Sequence, residues 1–185
     1  MTTPSTSPIP AGIPSPAAAP RPAAVPAEQA LLLRELESLL PVLAALDPAA
    51  PRDAETALSA HVPPSGPHAR RIEDLARAGV RDGWLLPKSG GPRVRFGRLA
   101  KDLGGFSVDF VLMEGAAAGH THTNGEINLG FPWSGSPRFD GRPPGWVVFS
   151  PGSHHVPTVS GGEMLLLYFL PGGKVAWDPP VAARA

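Results

Sequence analysis

The chain contains no cysteine, which excludes a disulfide framework and any thiolate metal site. A transition ion could be held only by His, Asp or Glu. Excess charge of either sign is also missing, because 16 Lys plus Arg balance 16 Asp plus Glu in 185 residues. That balance removes the electrostatic reason to expect nucleic acid or an anionic membrane as a partner. The longest apolar run, within EMLLLYFLPGG, falls far short of the roughly twenty residues that span a bilayer. The N-terminus, MTTPSTSPIPAGIPSPAAAPRPAAVP, lacks the basic start and apolar core of a secretory signal. The expectation is a cytoplasmic protein with a single core.

Proline, by contrast, is abundant and unevenly spread. Eight prolines fall within residues 1–26, among Ala, Ser and Thr. Such a segment has few groups to bury and few free backbone donors, and is expected to be a disordered tail. From Ala27 the pattern turns helical. In AEQALLLRELESLLPVLAAL, Leu32, Leu33, Leu36, Leu39 and Leu40 recur at helical spacing, and Pro41 should kink or end the run. Further helices are predicted over 53–60 and 67–78, with Gly79 as a stop signal. Residues 27–82 thus form an N-terminal helical segment, read as a cap or dimer arm that carries no chemistry.

After Gly83 the period becomes strand-like. RVRFGRLA, FSVDFVLMEG, HTHTNGEINLGF, GWVVFSPG, HHVPTVSGG and EMLLLYFLPGG follow one another between Gly, Pro, Asn and Asp turns. Six to eight short strands without long intervening helices predict a mainly β, antiparallel sandwich or barrel over 83–178, followed by a C-terminal tail over 179–185.

HTHTNGEINLGF concentrates chemistry. On a strand, His120 and His122 project from one face. An Asn-Gly hairpin would bring Glu126 back toward them. His155, in GWVVFSPGSHHVPTV, follows a Pro-Gly turn about thirty residues later. Imidazoles and a carboxylate are the set that a divalent transition ion accepts when thiolates are absent, and Fe, Mn, Co, Ni and Zn all suit it. The same groups could instead act as acid and base without an ion, with Glu126 and His122 moving protons. His154 points to the opposite face as a surface or supporting residue, while His61 and His68 belong to the solvated helical region. Arg93 and Arg95 share a strand face, with Arg98 of opposite parity, and all three read as solvated residues at a strand edge. Lys101 and Asp109 are possible polar wall residues. Phe131, Trp133 and Tyr168 could line an aromatic pocket or simply pack the core.

These two stretches resemble the paired motifs of the cupin superfamily, small double-sheet barrels. Gly115, His120, His122 and Glu126 fit the first motif, with its glycine spacer one residue short. Gly145, Gly152 and His155 fit the second, although Ser150 stands in place of a proline and Val159 in place of an asparagine. HTHTNGEINLGF, PRFDGRPPGWVVFSPGSHHVPTVSGGEMLLLYFLPGG and GRLAKDLGGFSVDFVLMEGA together look like the 4-hydroxylaminobenzoate lyase family. That resemblance implies a lyase releasing ammonia and protocatechuate from a small aromatic acid, with Arg93 and Arg95 as candidate bidentate partners for its carboxylate, no organic cofactor, and a homodimer. Two other readings keep the fold: a metal-dependent dioxygenase of a small aromatic or keto acid, and a non-catalytic binding module.

Overall fold

The computed structural model describes residues 26–179. The proline-rich tail, apart from Pro26, and residues 180–185 lie outside the described residues.

Four helices come first. A stripe of Leu32 and Leu36 on α1 (Ala27–Glu37), Leu39, and Leu43 on α2 (Leu40–Ala44) is buried at helical spacing. Each such side chain stabilises the fold by about 1.5–3 kcal/mol. The break falls at Ser38 and Leu39, ahead of Pro41. Pro41 occupies the first turn of α2, where a missing N–H costs nothing. Prolines open α3 (Pro51–His61) and α4 (Pro67–Arg81) in the same way. His68 keeps about a third of its side chain in solvent, but it also ties α4 to α1, since its Nε2 lies 3.4 Å from the Glu35 carboxylate.

Gly79 does not stop α4, which continues to Arg81. It is a contact point instead, since a Cβ there would lie 2.5 Å from the ring of Trp84. Gly79→Ala should therefore cost about 1–3 kcal/mol by displacing the indole. Chemical denaturation measures this, and a change below about 0.5 kcal/mol would mean that Trp84 has room to move.

Nine strands follow among the described residues: β1 (Lys88–Gly91), β2 (Val94–Leu103), β3 (Phe106–Ala116), β4 (His120–His122), β5 (Glu126–Phe139), β6 (Gly145–Phe149), β7 (His154–His155), β8 (Thr158–Pro171) and β9 (Val175–Trp177). They form a six-stranded antiparallel sheet in the order β1-β2-β3-β8-β5-β6 and a three-stranded sheet in the order β7-β4-β9. Three expectations change. Most of HHVPTVSGG and all the apolar part of EMLLLYFLPGG join into one 14-residue strand, β8. The short strands β1 and β9 are additional. HTHTNGE is not a hairpin, because β4 pairs with β7 and β9 while β5 pairs with β6 and β8. Thr123–Gly125 is a corner that hands the chain from the small sheet to the large one, and Gly125 takes a positive φ of 86° there.

Strand alternation gives the large sheet two apolar faces. Val108, Phe110, Leu129, Leu165, Leu167 and Phe169 pack against the helices in the main core. Val147, Met164, Leu166 and Tyr168 belong to a second cluster on the other face, toward the small sheet. The leucine stripe is buried within its own chain by this arrangement, so it does not provide the dimerisation surface that its sequence offered. No helix among the described residues is long and apolar enough to cross a membrane.

Candidate functional site

The corner at Thr123–Gly125 makes the site bipartite. His120 and His122 come from β4 and His155 from β7, where it pairs directly with His120. Glu126 opens β5 in the other sheet. One nitrogen of each imidazole and one Glu126 oxygen all lie within 4.8 Å of one another. His122 Nδ1 stands 3.2 Å and His120 Nε2 3.6 Å from Glu126 Oε2. His120, His122 and Glu126 are at most 4% exposed. The backbone secures the approach of β7, since His122 N–H donates to Ser153 O at 2.9 Å and Gly152 N–H to His122 O at 2.7 Å.

Residues that the sequence reading passed over hold these groups in place. Asp140 meets His155 Nδ1 at 2.5 Å and accepts the Thr158 N–H on its other oxygen at 2.8 Å. This fixes the ring so that Nε2 faces the cluster. Asp140 sits at φ 48°, where a non-glycine residue is uncommon. Its Asp-Gly signature reads as a turn and gives no hint of the contact. Asn128 is fully buried and donates its amide N–H to Glu126 Oε1 at 2.8 Å. Phe149 stacks on His122 with ring centroids 5.1 Å apart, and Trp177 of β9 covers His120 at 4.9 Å.

Electrostatics separates the groups. Burial alone would raise the Glu126 carboxyl, but His120 and His122, the charge of His122 and the Asn128 amide outweigh it and bring the pKa to about 2. Glu126 is thus a carboxylate at neutral pH. Burial also pushes the His120 imidazolium down, yet Glu126, the Ala118 carbonyl and Asp178 together raise it above its ordinary value. Burial, followed by the charges of Glu126, Asp140 and Asp109, lifts the Tyr168 phenol well above its usual range, so it stays neutral.

The cluster lies at a cavity of about 480 Å³ that is lined by His120, Glu126, Tyr168, Trp177, Arg98 and Asp109, with Val, Met, Phe and Ala side chains between them. That volume suits a small organic ligand. Arg93 and Arg95 are not among its lining residues. Arg93 is exposed, 3.5 Å from Glu114, and Arg95 is exposed on β2. The cation that reaches the cavity is Arg98, of the parity opposite to both. Lys101 is exposed and away from this cavity, whereas Asp109 lines it. Of the three aromatics, only Tyr168 lines the cavity. Phe131 packs in the helix-side core, and Trp133 lies beneath Arg77 with 4.6 Å between guanidinium and ring. His154 faces away from the cluster and pairs with Asp178 at 3.0 Å.

Two antiparallel sheets, with three imidazoles from one and a carboxylate from the other meeting between them, give the chain a cupin-like fold. A solved RmlC-like cupin from Ralstonia eutropha JMP134 is similar to it at 14% identity and a TM-score of 0.41, covering 52% of this chain and 66% of that one. The family model described as PnbB: 4-hydroxylaminobenzoate lyase matches residues 39–177. A 4-hydroxylaminobenzoate lyase of Nocardioides sp. (strain LMS-CY) is 36% identical over 124 residues, 60% of this chain and 73% of the relative. Another, from Pseudomonas putida, is 27% identical over 137 residues, 59% and 73% of the two chains. The chain belongs to the 4-hydroxylaminobenzoate lyase family.

Proposed function

We propose that the chain converts 4-hydroxylaminobenzoate to protocatechuate and ammonia at the centre formed by His120, His122, Glu126 and His155. The observation that carries this is the convergence of three imidazoles and one ionised carboxylate, of which His120 and Glu126 line a largely apolar cavity, in a member of this family. The reaction balances without an external oxidant or reductant. The N–O bond breaks and its hydroxyl leaves as water. One water adds to the ring carbon beside the nitrogen-bearing carbon, and a second displaces nitrogen as ammonia. Net, one water is consumed, and the oxidation level of the hydroxylamine ends on the ring.

The protein's groups fit distinct parts of this sequence. Glu126, held as a carboxylate, accepts a proton from the attacking water. A histidine of the cluster returns a proton to the departing hydroxyl. The apolar walls limit the number of competing waters.

The donor set also fits a divalent ion. His120 Nε2, His122 Nε2 and His155 Nε2 are buried without a hydrogen-bond partner, which is costly unless a ligand takes them. His120, His122, Glu126 and His155 would hold such an ion, and it would supply Lewis acidity for loss of the hydroxyl group. The test is anaerobic incubation of the protein with 4-hydroxylaminobenzoate, with no nicotinamide, before and after chelation, together with metal analysis. The expected result is equimolar ammonia and protocatechuate, about one divalent ion per chain, and loss of activity on chelation that a single added metal restores. No product with metal supplied rejects the lyase reading. Full activity in metal-free protein rejects the ion and leaves the acid–base version.

A further inference from the structure

We infer that Arg98 binds the carboxylate of the substrate and so sets the orientation of the ring, an inference that rests on the aromatic-acid reading above. Among the described residues, Arg98 is the only lysine or arginine lining the cavity that contains His120 and Glu126. Its guanidinium is already positioned. Nε donates to Asp109 Oδ1 at 2.8 Å and Nη2 to Asp109 Oδ2 at 3.2 Å, while Ser107 Oγ steadies the same Asp109 oxygen at 3.1 Å. A guanidinium has five N–H donors in a planar fork. The Asp109 pair uses one edge. The other edge, formed by Nη1 and the second hydrogen of Nη2, has no partner among the described residues. A planar carboxylate matches that edge with two parallel hydrogen bonds.

The sheet register aligns Arg98 with the His/Glu centre. Arg98 pairs with Asp109, Asp109 with Tyr168, and Tyr168 with Asn128, so these four residues form one row across β2, β3, β8 and β5. The row begins at the free guanidinium edge and ends at the residue that holds Glu126. At about 4.8 Å per strand its ends are roughly 14 Å apart between Cα atoms, and the side chains projecting from each end shorten that gap. A ring with para substituents would place its carboxylate at Arg98 and its nitrogen at the His/Glu centre, lying over Tyr168. A meta isomer would aim its nitrogen away from the centre. Asp109 acts through Arg98 as a positioning residue.

The experiment compares acids with their neutral amides. Binding of 4-aminobenzoate and of 4-aminobenzamide is measured by calorimetry, and turnover of the corresponding hydroxylamines is followed anaerobically, in wild type and Arg98→Met. Wild type should favour the acid by roughly 10- to 100-fold, as a charge-assisted bidentate contact allows. Arg98→Met should bring that ratio to near unity, with the loss expressed in KM and Kd. Arg98→Lys, which keeps the charge and loses the fork, should give an intermediate ratio and serves if the methionine variant does not fold. An acid-to-amide ratio unchanged in either folded variant overturns the inference. If wild type turns over neither hydroxylamine, the lyase reading fails, while the calorimetric ratio still decides the role of Arg98.

Discussion

Glu126→Gln should lower kcat/KM on 4-hydroxylaminobenzoate by about 100- to 10,000-fold, the range for loss of a positioned acid–base group. The substitution is close to isosteric. The Gln carbonyl can still accept the Asn128 N–H now received at 2.8 Å, so the side chain should remain in place. What disappears is the negative charge facing His120 and His122. That charge is secure at neutral pH because the pKa of Glu126 is held at about 2. The variant therefore separates the role of charge from the role of shape. The measurement is anaerobic release of protocatechuate and ammonia, with the thermal transition as a control for folding. Activity above a tenth of wild type in a folded variant would remove Glu126 from the chemistry.

The second large effect is on stability. Phe110→Ala should destabilise the protein by about 3–5 kcal/mol, as expected for a large aromatic removed from a packed core. Phe110 is fully buried in β3, on the face of the large sheet that packs against the helices. Its neighbours there belong to strands on both sides, because β3 pairs with β2 and β8. A rigid hydrogen-bonded sheet cannot collapse into the space left by the ring. In a domain of this size the midpoint should fall by on the order of 10 °C. Calorimetry or denaturant titration gives the value. A loss under about 1 kcal/mol would show that the helices do not press on the sheet at this point.

Much of this organisation is legible in the residues. The alternation of Val108, Phe110 and Leu112 announces a strand with one face in a core, and the leucine spacing from Leu32 to Leu43 announces helices. The His120, His122, Glu126 and His155 set can be found by spacing and residue type. What spacing does not reveal is which sheet a strand joins. His120 and Glu126 are six positions apart in either a hairpin or a corner, and only pairing partners distinguish the two. The far half of β5 is hidden because Pro132, Gly135 and Pro137 look like turn residues, yet the strand continues to Phe139. The arginines are a similar case. Parity separates Arg98 from Arg93 and Arg95, but the face turned inward is set by the neighbours of β2, namely Asp109 and then Tyr168 across the sheet. Trp84 and Gly79 show the same limit, since a glycine that permits close packing has the same sequence signature as one that ends a helix.

The corner at Thr123–Gly125 has a thermodynamic consequence. Since His120, His122 and His155 belong to one sheet and Glu126 to the other, anything that bridges them also ties the sheets together. The strands of the smaller sheet are two or three residues long and have few hydrogen bonds of their own. Binding of a bridging ligand and docking of the small sheet on the large one are therefore linked equilibria: whatever favours one must favour the other by the same free energy.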